Sequence, residues 1–230
     1  MSEINSLADL RPGDVLFGPI GGAVGLGVGL GQLALGEAFR IGRLSIRHVG
    51  IVVEASEGAY TAHGEGEPSL ARLVQAMPHG AEEIPLTEET HWTPRHAYVR
   101  IPEDYPGQRR DAAAIARIMV EQRVAYSFAS YAALALWRWH LGTPRLERWI
   151  RRRGEPVPIS WPSGRDAGPV VDDRVRLPRE AICSVLVDQA WSLTGKRLVH
   201  GTVPQVVTPG MLASQLWARR SVVWGGAGLL

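Results

Sequence analysis

The stretch RHVGIVVEASEGAYTAHG, residues 47–64, narrows the fold more than any other part of the chain. Two β-rich runs, HVGIVVEA and GAYTAHGE, are joined by SEG. The pattern predicts an antiparallel hairpin, because β-branched Val and Ile crowd a helix but pack well on a pleated surface. His48 then stands at the mouth of the first strand and His63 at the end of the second, on neighbouring strands.

The rest of the chain supplies a sheet and its cover. RPGDVLFGPI carries a Pro-Gly turn ahead of a short apolar run and predicts a strand near 14–18. In RHAYVRIP (95–102), Tyr98 and Arg100 alternate with Val99 and Ile101 until Pro102 closes the strand. GQRRDAAAIARIMVEQRV (107–124) sets Ala112, Ile115, Ala116, Met119 and Val120 at helical spacing, and FASYAALALWRWHLG reads as a second helix. LPREAICSVLVDQAWSLTG opens with Pro178 and Glu180, lines Ile182, Leu186, Val187, Ala190 and Trp191 along one face, and stops at Gly195. Strands followed by helices predict an α+β fold, a single domain over 1–230 with insertions at about 18–46 and 143–177.

Composition removes several functions. Hydrophobic residues make up 45% and charged residues 21%, an ordinary folding composition. The net charge is only +2, and the basic excess is concentrated in RLERWIRRRG (145–154), so nucleic acid is not expected as a partner. The N-terminus MSEINSLADLRPGD lacks a basic region followed by an apolar one. No Sec export is expected, which leaves the cytoplasm or a non-Sec route. Residues 15–36 carry no charge, the length of a membrane span, yet eight of them are glycine and one is Pro19. The segment reads as a glycine-rich loop plus a short packed helix, with a membrane-touching or acyl-binding flap as the second reading. GLGVGLG does not open a helix from a strand with an acid about 20 residues on, so it is a weak match to a dinucleotide fingerprint.

With one cysteine, no internal disulfide forms. Cys183 is predicted in the first turn of its helix, where unsatisfied N–H groups favour thiolate, lower the thiol pKa from about 8.5, and can hold an oxyanion. Iodoacetamide should then alkylate it well below that pH. His48 can serve as the base, and His63 can hold the other ring nitrogen. On the residue pattern alone Cys183 stays open between nucleophile and core filler, and the histidines between catalysis and structure. His79, His91, His96, His140 and His200 show no metal-ligand spacing with a second cysteine, so neither a metal nor a cofactor is expected.

Taken in order, RPGDVLF, RHVGIVVEA with AYTAHG, AYSFASY, ICSVLVDQAW and VTPGMLASQL resemble the signatures of circularly permuted NlpC/P60 papain-like cysteine hydrolases, especially the YaeF/YiiX-like group. Histidine precedes cysteine by 135 residues, the permuted order, which the lecithin:retinol acyltransferase-like proteins share. The likeness spans 11 to about 217 and is specific around His48 and Cys183; 18–46 and 143–177 match nothing in it.

The resemblance implies a permuted papain-like fold with Cys183 as nucleophile, His48 as general base and His63 as third polar residue. Glu65 and Glu67 are alternates for that third place. The position is often Glu in the YiiX-like group and His in the acyltransferase-like group. Tyr126 in AYSF matches a tyrosine near the pocket, an oxyanion or substrate contact, or else a packing aromatic. The implied activity is cleavage of an amide, with peptidoglycan peptide as the preferred substrate class. The alternatives are thiol-dependent lipid acyl hydrolysis or transfer, favoured by His63 and the apolar 15–36 segment, and an inactive structural module of a larger assembly.

Overall fold

The structure is a computed structural model that describes residues 3–34, 40–41, 44–55, 70–126, 156–158, 176–178, 180–200, 207–219 and 221–226. In chain order its helices are α1 (Gly22–Ala34), α2 (Glu88–His91), α3 (Gln108–Glu121), α4 (Cys183–Ser192) and α5 (Pro209–Trp217). Six strands form one antiparallel sheet: β1 (Val15–Gly18), β4 (His48–Glu54), β5 (Arg72–Met77), β6 (Gly80–Pro85), β7 (Ala97–Arg100) and β12 (Val223–Gly225). Their order is β12-β7-β1-β4-β5-β6. Three short pairs lie outside it: β2 (Arg40–Ile41) with β3 (Leu44–Ser45), β9 (Pro156–Pro158) with β10 (Arg176–Pro178), and β8 (Ala125–Tyr126) with β11 (Glu180–Ala181). The last is parallel. The chain is thus an α+β protein with an antiparallel sheet packed against helices.

Alternation along the strands sorts the core into two layers. Val15, Phe17, Val49, Ile51, Val74, Ala97 and Val99 meet α3 and α4 on one face. Leu16, Val52, Leu73 and Tyr98 face the other way, where Ile4, Leu7, Leu10 and Leu86 cover them. The helical spacing read in 107–124 holds, with Ala112, Ile115, Ala116 and Met119 buried on α3.

Strand β4 is the centre of this arrangement. Both of its edges are occupied, by β1 (Gly18↔His48, Val15↔Ile51) and by β5 (Gly50↔Gln75, Val52↔Leu73). Residues 58–65, the expected second arm of the hairpin, lie outside the described residues, and the strand beside β4 opposite β1 is β5. The expected second helix over 128–142 is also outside them. Within 143–177, expected to be irregular, β9 and β10 pair antiparallel.

One boundary differs from expectation. The helix read from Pro178 begins only at Cys183, because Glu180 and Ala181 are held extended by pairing with β8 and Ile182 is itself extended (φ −88°, ψ 165°). Its stop agrees: the chain turns through Gly195 at φ +87°, a left-handed conformation that favours glycine. α5 starts as a capped helix, with Thr208 Oγ1 accepting from the Met211 N–H at 3.1 Å and Pro209 in the first turn.

The charge-free segment folds as β1 followed by α1. Among the described residues no helix is long and apolar enough to cross a membrane. Gly29 of α1 lets the helix approach the Arg47 guanidinium, which a Cβ there would meet at 3.2 Å. Leu26, Leu30 and Leu33 are left on the outer side, 62%, 58% and 67% exposed.

Candidate functional site

Two elements far apart in sequence converge at the start of β4. α4 presents Cys183 as its first residue, and the backbone N–H groups of Val49, Ser184 and Cys183 itself reach its sulfur. The pairing of β4 with β5 ends at Gly50↔Gln75, so Val49, one residue further out, has its N–H available for the sulfur. His48, the residue before it, is the first of β4.

Helix α4 is held firmly in this position. Ser184 Oγ donates to the Val207 carbonyl at 2.6 Å, tying the first turn to the approach to α5. The buried Asp188 Oδ1 accepts the N–H groups of Leu198 and Val199, each at 3.0 Å, which folds the following chain back onto the helix. A buried carboxylate without such donors would be costly.

The thiol departs from the sequence expectation. Cys183 is 2% exposed and sits among the residues of the larger core, and burial pushes its pKa up to about 11. The three N–H groups favour the thiolate, as expected at a helix tip, but desolvation outweighs them. At rest Cys183 is a neutral thiol, so the lowered pKa read from its helix position is corrected.

The imidazole is buried as well, at 7% exposed. Its Nε2 lies 2.6 Å from Gln75 Oε1. Gln75 Nε2 in turn donates to Glu82 Oε1 at 2.8 Å, and Glu82 Oε2 lies 2.7 Å from His79 Nε2. The pleat explains the alignment, for Gln75 and Glu82 are directly opposite one another in the β5–β6 register. Burial lowers the His48 pKa, while the Gln75 hydrogen bond and the Glu82 charge oppose it, leaving a neutral ring at pH 7.

His48 Nδ1 is buried and has no hydrogen-bond partner, so no thiol–imidazole hydrogen bond is made. By strand alternation His48 and Gln75 point to the sheet face opposite α4, while the sulfur reaches the backbone N–H of Val49, the residue next to His48.

Two further side chains border this place. The short parallel pair β8–β11 aligns Tyr126 with Ala181, two residues before Cys183. Burial, and next the charge of a Cys183 thiolate, raise the Tyr126 pKa, so the phenol keeps its proton. His96 lies against Gly18, the register partner of His48; a Cβ on Gly18 would stand 2.5 Å from the ring. Burial, then His91, Arg95 and His48, press the His96 pKa down to about 4.

His63, Glu65 and Glu67 lie outside the described residues. The partner that the structure gives to His48 is Gln75, which sequence reasoning missed. The available signal was a single amide inside the apolar run RLVQAM, a poor residue for a buried strand unless something bonds it. Among the described residues no group of three His, Cys, Asp or Glu side chains could hold a metal ion.

In comparison with known proteins, no family model, no curated protein and no solved structure matches this chain.

Proposed function

We propose that the chain is a cysteine hydrolase of permuted papain-like fold that attacks an amide or acyl carbonyl, with Cys183 as nucleophile, His48 as general base and Gln75 as the group that orients His48. One observation carries this reading. A buried, neutral imidazole has Nε2 held by an amide oxygen and Nδ1 left without a partner, one residue from the N–H that reaches a helix-tip sulfur. An imidazole confined in this way can take a proton at Nδ1, which is the task of a base beside a thiol.

In this mechanism the Cys183 S–H proton passes to His48 Nδ1 as sulfur adds to the carbonyl carbon. The N–H groups at the start of α4 stabilise the oxyanion. Collapse of the adduct breaks the bond to the leaving amine, which takes the proton from His48 and leaves a thioester. Water, deprotonated by His48, adds to the thioester and releases the carboxylic acid with the thiol restored. A neutral resting thiol is compatible with this sequence, because the proton moves only as charge develops on sulfur.

The ordered likeness of the His48 and Cys183 segments to permuted NlpC/P60 hydrolases supports peptidoglycan peptide or a related amide as substrate. A specific observation favours lipid acyl hydrolysis or transfer as the second reading: the exposed Leu26, Leu30 and Leu33 on α1, the helix that directly follows β1 and its contact with His48.

The test incubates the full chain and its Cys183→Ala and His48→Ala variants with muropeptides and with fluorescent phospholipids, and follows acyl-enzyme formation by intact mass. Muropeptide cleavage that both variants lose is the expected result. Lipid turnover with the same dependence selects the second reading. Absence of turnover and of a thioester adduct on either panel overturns the enzymatic reading in favour of a structural module.

A further inference from the structure

We infer that Glu82 is a positioning residue that fixes the proton of the His48 ring on Nε2. The inference rests on the proposed hydrolase only for its catalytic consequence. A carboxylate accepts hydrogen bonds and does not donate them, so the Gln75 group that meets Glu82 Oε1 at 2.8 Å is the amide NH2. The amide oxygen then faces the other way, toward His48 Nε2 at 2.6 Å. An oxygen at that distance requires a donor, and His48 Nε2 carries the hydrogen. Nδ1 is consequently the lone-pair nitrogen, which agrees with its burial without an acceptor.

The polarity of this chain originates at Glu82. Gln75 alone is symmetric in shape and can present either oxygen or NH2 to His48, and only the group beyond it breaks the tie. The register places that group directly opposite Gln75 on β6, and His79 Nε2 holds the second carboxylate oxygen at 2.7 Å. With the amide reversed, His48 Nε2 would accept and Nδ1 would carry the hydrogen, so the ring could not take a proton from Cys183. Glu82 would therefore act on the reaction through Gln75 and His48, without touching substrate.

The experiment reads the tautomer directly, with no substrate. Full-length protein labelled with 15N-histidine is examined by long-range 1H–15N correlation, the His48 signals being assigned by their loss in His48→Gln. The wild type should show the Nε2–H pattern. Glu82→Gln, whose amide can either accept from or donate to Gln75, should shift the tautomer ratio toward Nδ1–H by about tenfold or more. Glu82→Asp should restore the wild-type pattern in part, and His79→Ala, which leaves the Gln75 bond intact, should not move it. An unchanged spectrum in Glu82→Gln, or an Nδ1–H wild type, overturns the inference. A protein without turnover whose tautomer still responds to Glu82 refutes the hydrolase and leaves the positioning role standing.

Discussion

Raising the pH toward 11 titrates the buried sulfur on which the proposed chemistry depends. Burial moves the Cys183 pKa from 9.0 to about 11. At pH 8 about one folded molecule in a thousand carries the thiolate, against about one in ten for an unshifted thiol, so alkylation should be about a hundredfold slower than in the unfolded chain. The same shift sets a stability slope. An acid whose folded pKa is raised contributes stability that is complete below its unfolded pKa and is lost as pH climbs toward the folded value. The window here runs from about pH 9 to about pH 11. Between pH 8 and pH 11 the loss attributable to Cys183 is about 2 kcal/mol. Two assays check it: iodoacetamide rates from pH 7 to 11.5 in buffer and in guanidinium, scored by intact mass, and urea unfolding of wild type against Cys183→Ser at both pH values. The serine hydroxyl does not titrate, so the difference isolates the thiol. A folded-state alkylation midpoint at or below pH 8.5, or equal losses in the two proteins, would refute the reasoning. It would show that the helix N–H groups, or a protonated His48, outweigh desolvation.

Two other outcomes follow from the described packing. Arg100 and Asp14 are 1% and 0% exposed and share two hydrogen bonds of 3.1 and 2.8 Å, so Arg100→Met should cost about 3–5 kcal/mol in urea unfolding by stranding the Asp14 carboxylate. The double variant Arg100→Met with Asp14→Asn should recover part of that loss. The triple variant Leu26→Gln, Leu30→Gln, Leu33→Gln should keep the unfolding free energy within about 1 kcal/mol of wild type, since all three side chains are exposed. If lipid is the substrate, this variant should lower lipid turnover and leave muropeptide turnover unchanged.

Legibility followed the length scale of each interaction. The alternation in HVGIVVE and AYVR and the spacing of Ala112, Ile115, Ala116 and Met119 are local, and the corresponding strands and helix appear with their expected faces buried. The start of α4 was less readable. Pro178 and Glu180 look like a helix opening, but Pro178 pairs with Pro156 of β9, and Glu180 pairs with Ala125 of β8, more than 50 residues earlier, so both stay extended. His48 could be singled out because it begins an apolar strand. Gln75 stands out only as one amide in an apolar run, and its partners His48 and Glu82 are set by strand register, which the run itself does not carry. The thiol pKa was misjudged for a related reason: helix position is a local property, whereas desolvation depends on everything packed around the sulfur.

What the amino-acid sequence by itself determined is the α+β class, the amphipathic faces and the presence of a lone cysteine at the head of a helix. Each follows from periodicities of 2 and 3.6 and from end-of-helix chemistry within a few residues. Only the tertiary structure decided which strand flanks β4, that an amide on β5 backed by a carboxylate on β6 holds His48, and that Cys183 rests as a neutral thiol. Those outcomes depend on strand register and on burial, and both arise from contacts between segments that the chain brings together only when it folds.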